Sequence, residues 1–135
     1  MEKIKSHAEI AIIGGGIMGV SLLYHLAKEG WKDLVLIEKG ELTSGSTWHA
    51  AGQCPQMMGS YNLAKVHLHS TNLYKTLEKE TGQSTGWHGC GSLRLAYKQE
   101  DLDWFLYVKG ILDNVGAPAE IISTEEIKKK QHLKK

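Results

Sequence analysis

Two short apolar runs, Ile10-Ala11-Ile12-Ile13 and Leu34-Val35-Leu36-Ile37, are continuous rather than alternating. Runs of this kind predict parallel strands covered on both faces, here about residues 9–13 and 33–38. Between them Gly19, Leu22, Leu23 and Leu26 recur at helical spacing. They predict a helix over about 16–29 with those four as its packing face, stopped by Gly30. Strand, helix and parallel strand make one βαβ unit.

Further along, residues 61–80 pattern as an amphipathic helix ended by Gly82. Leu63, Val66, Leu73 and Leu77 share its apolar face with Ser70 among them, and His67 and His69 flank it as surface groups. Residues 92–97 alternate as a half-buried strand, with Leu93, Leu95 and Tyr97 on one side and Ser92, Arg94 and Ala96 on the other. A helix follows over about 100–114, with Leu102, Phe105, Leu106 and Leu112 inward and Gly116 and Pro118 closing it. Glu120-Ile121-Ile122 reads as a short strand, and Ser123 with Glu126 as a capping box for a last helix. A doubly wound sheet needs about five parallel strands. Two clear ones point to an α/β fold of which this chain is the N-terminal piece.

The chemistry lies at the first strand's end. Gly14-Gly15-Gly16-Ile17-Met18-Gly19 separates that strand from the helix, and Glu38 closes the second strand. Strand, glycine turn, helix, strand and acid in this order are the dinucleotide fingerprint in its required context. Gly14 allows a sharp turn, Gly16 lets backbone approach a diphosphate, and Gly19 lets the helix lie close on the sheet. The helix N-terminus presents N–H groups and a positive dipole end to phosphate. A carboxylate at Glu38 accepts a ribose hydroxyl and repels a 2′-phosphate, which disfavours NADP. A glycine turn that binds nothing would need the spacing and the acid to agree by accident.

A polar loop follows, Thr43-Ser44-Gly45-Ser46-Thr47-Trp48-His49-Ala50-Ala51-Gly52, with four hydroxyls in its first five positions and a short helix-favouring run after them. Such hydroxyls cap helices or bind phosphate and ribityl oxygens, and both readings stand.

Charge and cysteine content narrow the class. The formal net charge is +1, yet five of the 16 basic side chains fall in the last eight residues; the other 11 face 15 acids, a net −4 over residues 1–127. A mildly acidic body with a solvated lysine end offers no nucleic-acid surface. Cys54 and Cys90 are too few for a disulfide framework and lack metal-ligand spacing, so two free, partly buried thiols, no metal and a reducing compartment are expected. No apolar run has the length of a membrane span. Residues 1–5 lead directly into a strand with no room for a targeting peptide, which predicts the cytoplasm, or the mitochondrial matrix in a eukaryote.

Ala8-Glu9-Ile10 through Gly19, and Glu38-Lys39-Gly40-Glu41-Leu42 through Gly52, resemble the dimethylglycine dehydrogenase and sarcosine dehydrogenase group of the FAD-dependent D-amino-acid oxidase-like superfamily. Thr71-Asn72-Leu73-Tyr74 and Gly91-Ser92-Leu93-Arg94-Leu95-Ala96 are similar too. The glycine motif is superfamily-wide, whereas Ser46-Thr47-Trp48-His49-Ala50-Ala51-Gly52 is much narrower. The resemblance implies the N-terminal βαβ part of a Rossmann-like FAD-binding domain plus the start of a substrate-domain strand and helix region, residues 1–135 being one truncated domain. It implies a cofactor site of Gly14, Gly16, Ile17, Met18, Gly19, Glu38, Lys39, Ser44, Gly45, Ser46, Thr47, His49, Ala51 and Gly52. In that group the histidine of this loop is bonded to the flavin 8α-methyl carbon, which falls on His49. The ordinary alternative for His49 is a helix histidine with one hydrogen bond.

The implied reaction is oxidative demethylation of an N-methylated glycine by hydride transfer to flavin. The one-carbon unit is released on hydrolysis or passed to tetrahydrofolate in a C-terminal region, and electrons leave to an acceptor such as electron-transfer flavoprotein. Substrate and catalytic residues are not identified. Arg94, the one arginine, is a candidate carboxylate clamp against the commoner surface ion pair. Alternatives are an FAD amine or amino-acid oxidase with another substrate and a non-catalytic regulatory relative.

Overall fold

The computed structural model describes residues 6–130. The readings placed on residues 1–5, and on the lysine end beyond Lys130, lie outside them. The chain divides into two compact units, residues 1–53 and 54–135.

In the first unit, β1 (Ile10–Ile13) pairs in parallel with β2 (Leu34–Ile37), Ile10 opposite Leu34 and Ile13 opposite Ile37. The α1 helix (Ile17–Lys28) crosses over between them and buries Ile12. Its C-terminus is a Schellman turn: Trp31 N–H donates to Leu26 O, Gly30 N–H to Ala27 O, and Gly30 takes φ +97°. The stop read at Gly30 therefore holds. The packing face is narrower than expected, because Leu22 is 50% exposed while Gly19, Leu23 and Leu26 are half-buried. A helix resting on two strands covers only one stripe. Coverage of both sheet faces is also not seen here, since Ile13 and Ile37 are exposed.

The second unit is built on α2 (Tyr61–Thr81) packed against α3 (Gln99–Val115), with Ala64, Val108, Leu112 and Ala117 at its centre. Both helices end in left-handed glycines, Gly82 at φ +71° and Gly116 at φ +79°, as read. The face of α2 differs from the expectation. Leu63 and Val66 are exposed, and the inward line is buried Ala64, half-buried Leu68 and buried Thr71, one turn apart each. Small residues admit the neighbouring helix closely, so large aliphatics alone are a poor guide to that face. In α3 the same correction applies: Leu106 is exposed and Val108 is fully buried.

His67 is not a surface flank. Its Nδ1 lies 2.7 Å from Pro55 O and ties the segment before α2 to the helix. Thr71, 3% exposed, accepts a hydrogen bond from Gln56 Nε2 at 2.7 Å. Thr71→Val keeps the shape and deletes that acceptor. It is expected to cost about 1 kcal/mol, read as a lowered urea midpoint at unchanged slope.

Neither expected strand forms. Residues 91–97 and 120–122 are irregular, and 91–97 are exposed throughout. Alternation of side chains makes a strand only when a neighbour pairs with it, and among the described residues the sheet has two strands, β1 and β2. The capping box is present ahead of α4 (Thr124–Lys130): Ser123 N–H and Oγ–H both reach Glu126 Oε2 at 2.8 Å. Lys128 and Lys130 of that helix are solvated and paired with Glu125 and Glu120. Cys54 is half-buried, but Cys90 is exposed, against expectation. Among the described residues no histidine, cysteine and acid cluster could hold a metal, and no helix is long and apolar enough to cross a membrane.

Candidate functional site

The glycine turn is fixed by contacts that exclude other side chains. Gly14 N–H donates to Ile37 O at 2.8 Å, extending the β1–β2 ladder by one bond, and Gly14 turns away at φ +105°. A Cβ on Gly19 would overlap the Gly14 carbonyl oxygen, with Ile12 Cγ2 only 3.4 Å away. The helix can therefore lie this close to the strand only with glycine at that position.

Gly15, which the fingerprint leaves unspecified, is buried as well. A Cβ there would lie 2.5 Å from Leu42 Cδ2 and 3.0 Å from Glu38 Cβ. The run of three glycines was the available signal for this position. A Cβ on Gly16 would be 3.2 Å from Thr47 Oγ1, so the loop comes down on the turn at that point.

Glu38 holds the turn. Its Oε2 accepts the Gly15 N–H at 2.6 Å and its Oε1 the Gly40 N–H at 2.9 Å. The bond from Gly15, then that from Gly40, holds its carboxyl below the ordinary glutamate range, with Lys39 adding in the same direction. Each oxygen keeps a further lone pair for a ribose hydroxyl, so the two roles are compatible. Lys39 is exposed.

The polar loop is tied to this turn at two places. Thr43 N–H donates to Gly15 O at 2.9 Å, and Ile17 N–H donates to Thr47 Oγ1 at 2.9 Å. Thr47 thus serves as the cap of α1, whose own N-cap, Gly16, has no side chain to offer. Ser44 Oγ–H bonds instead to Glu41 O. Among the described residues the first-turn N–H groups of Met18 and Gly19 make no hydrogen bond to a backbone carbonyl, and both Ile17 and Met18 side chains are exposed.

The expected helical run after the hydroxyls is a series of tight turns. His49 N–H reaches Ser46 O and Ala50 N–H reaches Thr47 O, both at 3.2 Å. Gly45, Ser46, Ala51 and Gly52 are exposed along it, with Gly52 at φ +69°. His49 is exposed, and its Nδ1 lies 3.0 Å from Gly45 O. A carbonyl only accepts, so Nδ1 carries a hydrogen, and it is the neutral ring that then holds a lone pair on Nε2. Arg94 belongs to the second unit, on the irregular 91–97 stretch.

These features fit an adenine dinucleotide's diphosphate: a glycine turn left-handed at Gly14 and crowded against a Cβ at Gly15 and Gly19, the first turn of α1 beside it and an acid at the second strand's end.

Comparison with known proteins agrees with that fit. Residues 9–135 match the family model described as FAD dependent oxidoreductase. Dimethylglycine dehydrogenase of Rattus norvegicus, a mitochondrial protein, is 56% identical over 103 residues, which is 76% of this chain and 12% of that protein. The mitochondrial pyruvate dehydrogenase phosphatase regulatory subunit of Mus musculus is 42% identical over 124 residues, 92% of this chain and 14% of that protein. Among solved structures, L-proline dehydrogenase from P. horikoshii superposes with a TM-score of 0.84 at 32% identity, covering 93% of this chain and 33% of that one. The chain therefore spans 12% to 14% of the length of these two relatives. The resemblance read from residues 8–19 and 38–52 is borne out, as is the α/β class with its βαβ start. By the family model over nearly its whole length, this chain belongs to the FAD dependent oxidoreductase family.

Proposed function

We propose that this chain is the N-terminal part of one FAD-binding domain, in an enzyme that oxidatively demethylates an N-methylated glycine such as dimethylglycine or sarcosine. The single observation that carries the reading is the loop 43–52, the narrow part of the resemblance, tied to the glycine turn and to the N-terminus of α1. In this reading Gly14, Gly16 and Gly19 admit the diphosphate, the Met18 and Gly19 N–H groups bond to it, and Glu38 accepts the ribose. Lys39 stands near the adenosine. Ser44, Gly45, Ser46, Thr47, Ala51 and Gly52, with Ile17, line the path toward the flavin.

When bound, FAD supplies the hydride acceptor for an amine substrate. His49 tethers it: Nε2 carries the lone pair, and Gly45 O holds the ring by Nδ1. The finer assignments, that electrons leave to an electron-transfer flavoprotein and that a C-terminal region binds tetrahydrofolate, belong to the same proposal. So does placement in the mitochondrial matrix where the cell has one, both of these relatives being mitochondrial proteins.

A second reading has its own support. The 42% identity to a regulatory subunit admits a non-catalytic relative that keeps the fold. An amine oxidase with a different substrate is the third, supported by the superposition on a proline dehydrogenase.

Acid precipitation of the full-length protein separates them. A yellow pellet from wild type and a colourless one from His49→Ala, together with reduction of the flavin by dimethylglycine or sarcosine, is the expected result. Flavin that stays unreduced with both amines removes the demethylase assignment, and a protein that holds no flavin favours the regulatory relative.

A further inference from the structure

The cap of α1 comes from 30 residues away, at Thr47. An ordinary N-cap residue adjoins its helix and fixes only that helix. A cap delivered by a distant loop fixes the loop as well. The Thr43 N–H to Gly15 O bond holds the same loop at its other end. Thr43 makes it at φ +65°, a conformation that a β-branched residue keeps only where neighbouring bonds enforce it. The hydrogen bonds that place His49, to Ser46 O and Gly45 O, are internal to the loop. The position of the imidazole relative to the glycine turn is therefore referred through residues 43 and 47, and Thr47 is the nearer, two residues away.

We propose that Thr47 is a positioning residue, whose hydroxyl sets the reach of His49 toward a flavin seated on the glycine turn. Covalent attachment then depends on a hydrogen bond made at the helix terminus. This rests on the reading of His49 as the attachment site. Attachment breaks one C–H bond of the 8α-methyl group and the imidazole N–H bond and forms one C–N bond. Two protons and an electron pair are released, and dioxygen is the oxidant that takes them up. Geometry governs such a step strongly, since small misplacements of reacting atoms are costly.

The test follows attachment rather than turnover. Full-length protein prepared without flavin is given saturating FAD, portions are quenched in acid at intervals, and acid-stable flavin is measured. Thr47→Val, which keeps the shape and deletes the acceptor, is expected to slow attachment about tenfold, and Thr47→Ser to restore the wild-type rate. Thr47→Asn keeps an acceptor on a longer arm. It preserves the helix cap but displaces the loop, so it is expected to attach slowly too and serves if the valine variant does not fold. In a His49→Ala background, Thr47→Val is expected to lower non-covalent FAD affinity by clearly less than the roughly tenfold by which it slows attachment at saturating FAD, since positioning acts on the reacting atoms more than on the diphosphate. A tenfold loss there would make Thr47 a direct holder of the cofactor and overturn the positioning role. Equal rates in wild type and in whichever of the valine and asparagine variants folds overturn it also. A wild type with no acid-stable flavin overturns the attachment reading itself, and positioning falls with it.

Discussion

Gly19→Ala is expected to abolish stable FAD retention and to destabilise the first unit by about 3 kcal/mol, the upper part of the range for overpacking. Alanine at an interior helix position ordinarily gains about 1 kcal/mol over glycine, so the expected sign is reversed by contact alone. The added Cβ falls on the Gly14 carbonyl oxygen. Gly14 cannot withdraw easily, because its N–H is bonded to Ile37 O and its φ of +105° is already the turn that ends β1. The helix must move instead, and with it the first-turn N–H groups proposed to hold the diphosphate. Gly15→Ala provides the contrast. Its Cβ meets the end of the exposed Leu42 side chain, which can rotate away, although Glu38 Cβ at 3.0 Å cannot. A loss of about 1 kcal/mol, with flavin partly retained, is expected there. Flavin content after gel filtration and thermal midpoints check both. Wild-type flavin content in Gly19→Ala would mean that the turn does not hold the cofactor.

What could be read in advance was local. The lengths of the two apolar runs, the glycine spacing and the acid at Glu38 each depend on neighbours within one βαβ unit, and β1, α1 and β2 fall where they were expected. Helix ends at Gly30, Gly82 and Gly116 were legible for the same reason, a left-handed residue being a property of one position. Features set by a distant partner were not. The face of α2 that packs with α3 carries Ala64 and Leu68 rather than Leu63 and Val66. The alternation in residues 92–97 has no pairing strand to act on. At the site, the hydroxyl cluster left two roles open, and only the Thr47 to Ile17 bond, spanning 30 residues, shows that one of its members caps α1. Gly15 escaped because the fingerprint permits any residue there, while this loop, through Leu42, does not.

Glu38→Ala is expected to lower FAD affinity about a hundredfold, and Glu38→Gln about tenfold, because charge-assisted hydrogen bonds are the stronger kind and two are lost against one. The carboxylate accepts from Gly15 and Gly40 on separate oxygens, whereas a glutamine has one carbonyl oxygen and turns an amino group toward the other N–H. The pH dependence follows from the same bonds. They depress the folded carboxyl below its unfolded value, so the unfolded chain takes up the proton first. The contribution is complete above the ordinary glutamate range and is lost as pH falls through that range to the lower folded value. Glu120 and Glu126 are depressed as well, by Lys130 and by Ser123 respectively, and respond in the same direction. A pH profile of wild type alone would mix all three. The difference between wild type and Glu38→Gln, measured as thermal midpoint or FAD retention from neutral pH downward, cancels the other two. That difference is expected to be largest near neutrality and to shrink toward acid, since protonated Glu38 also keeps a single carbonyl acceptor. A difference that does not change with pH would mean that the charge on Glu38 plays no part in holding the turn.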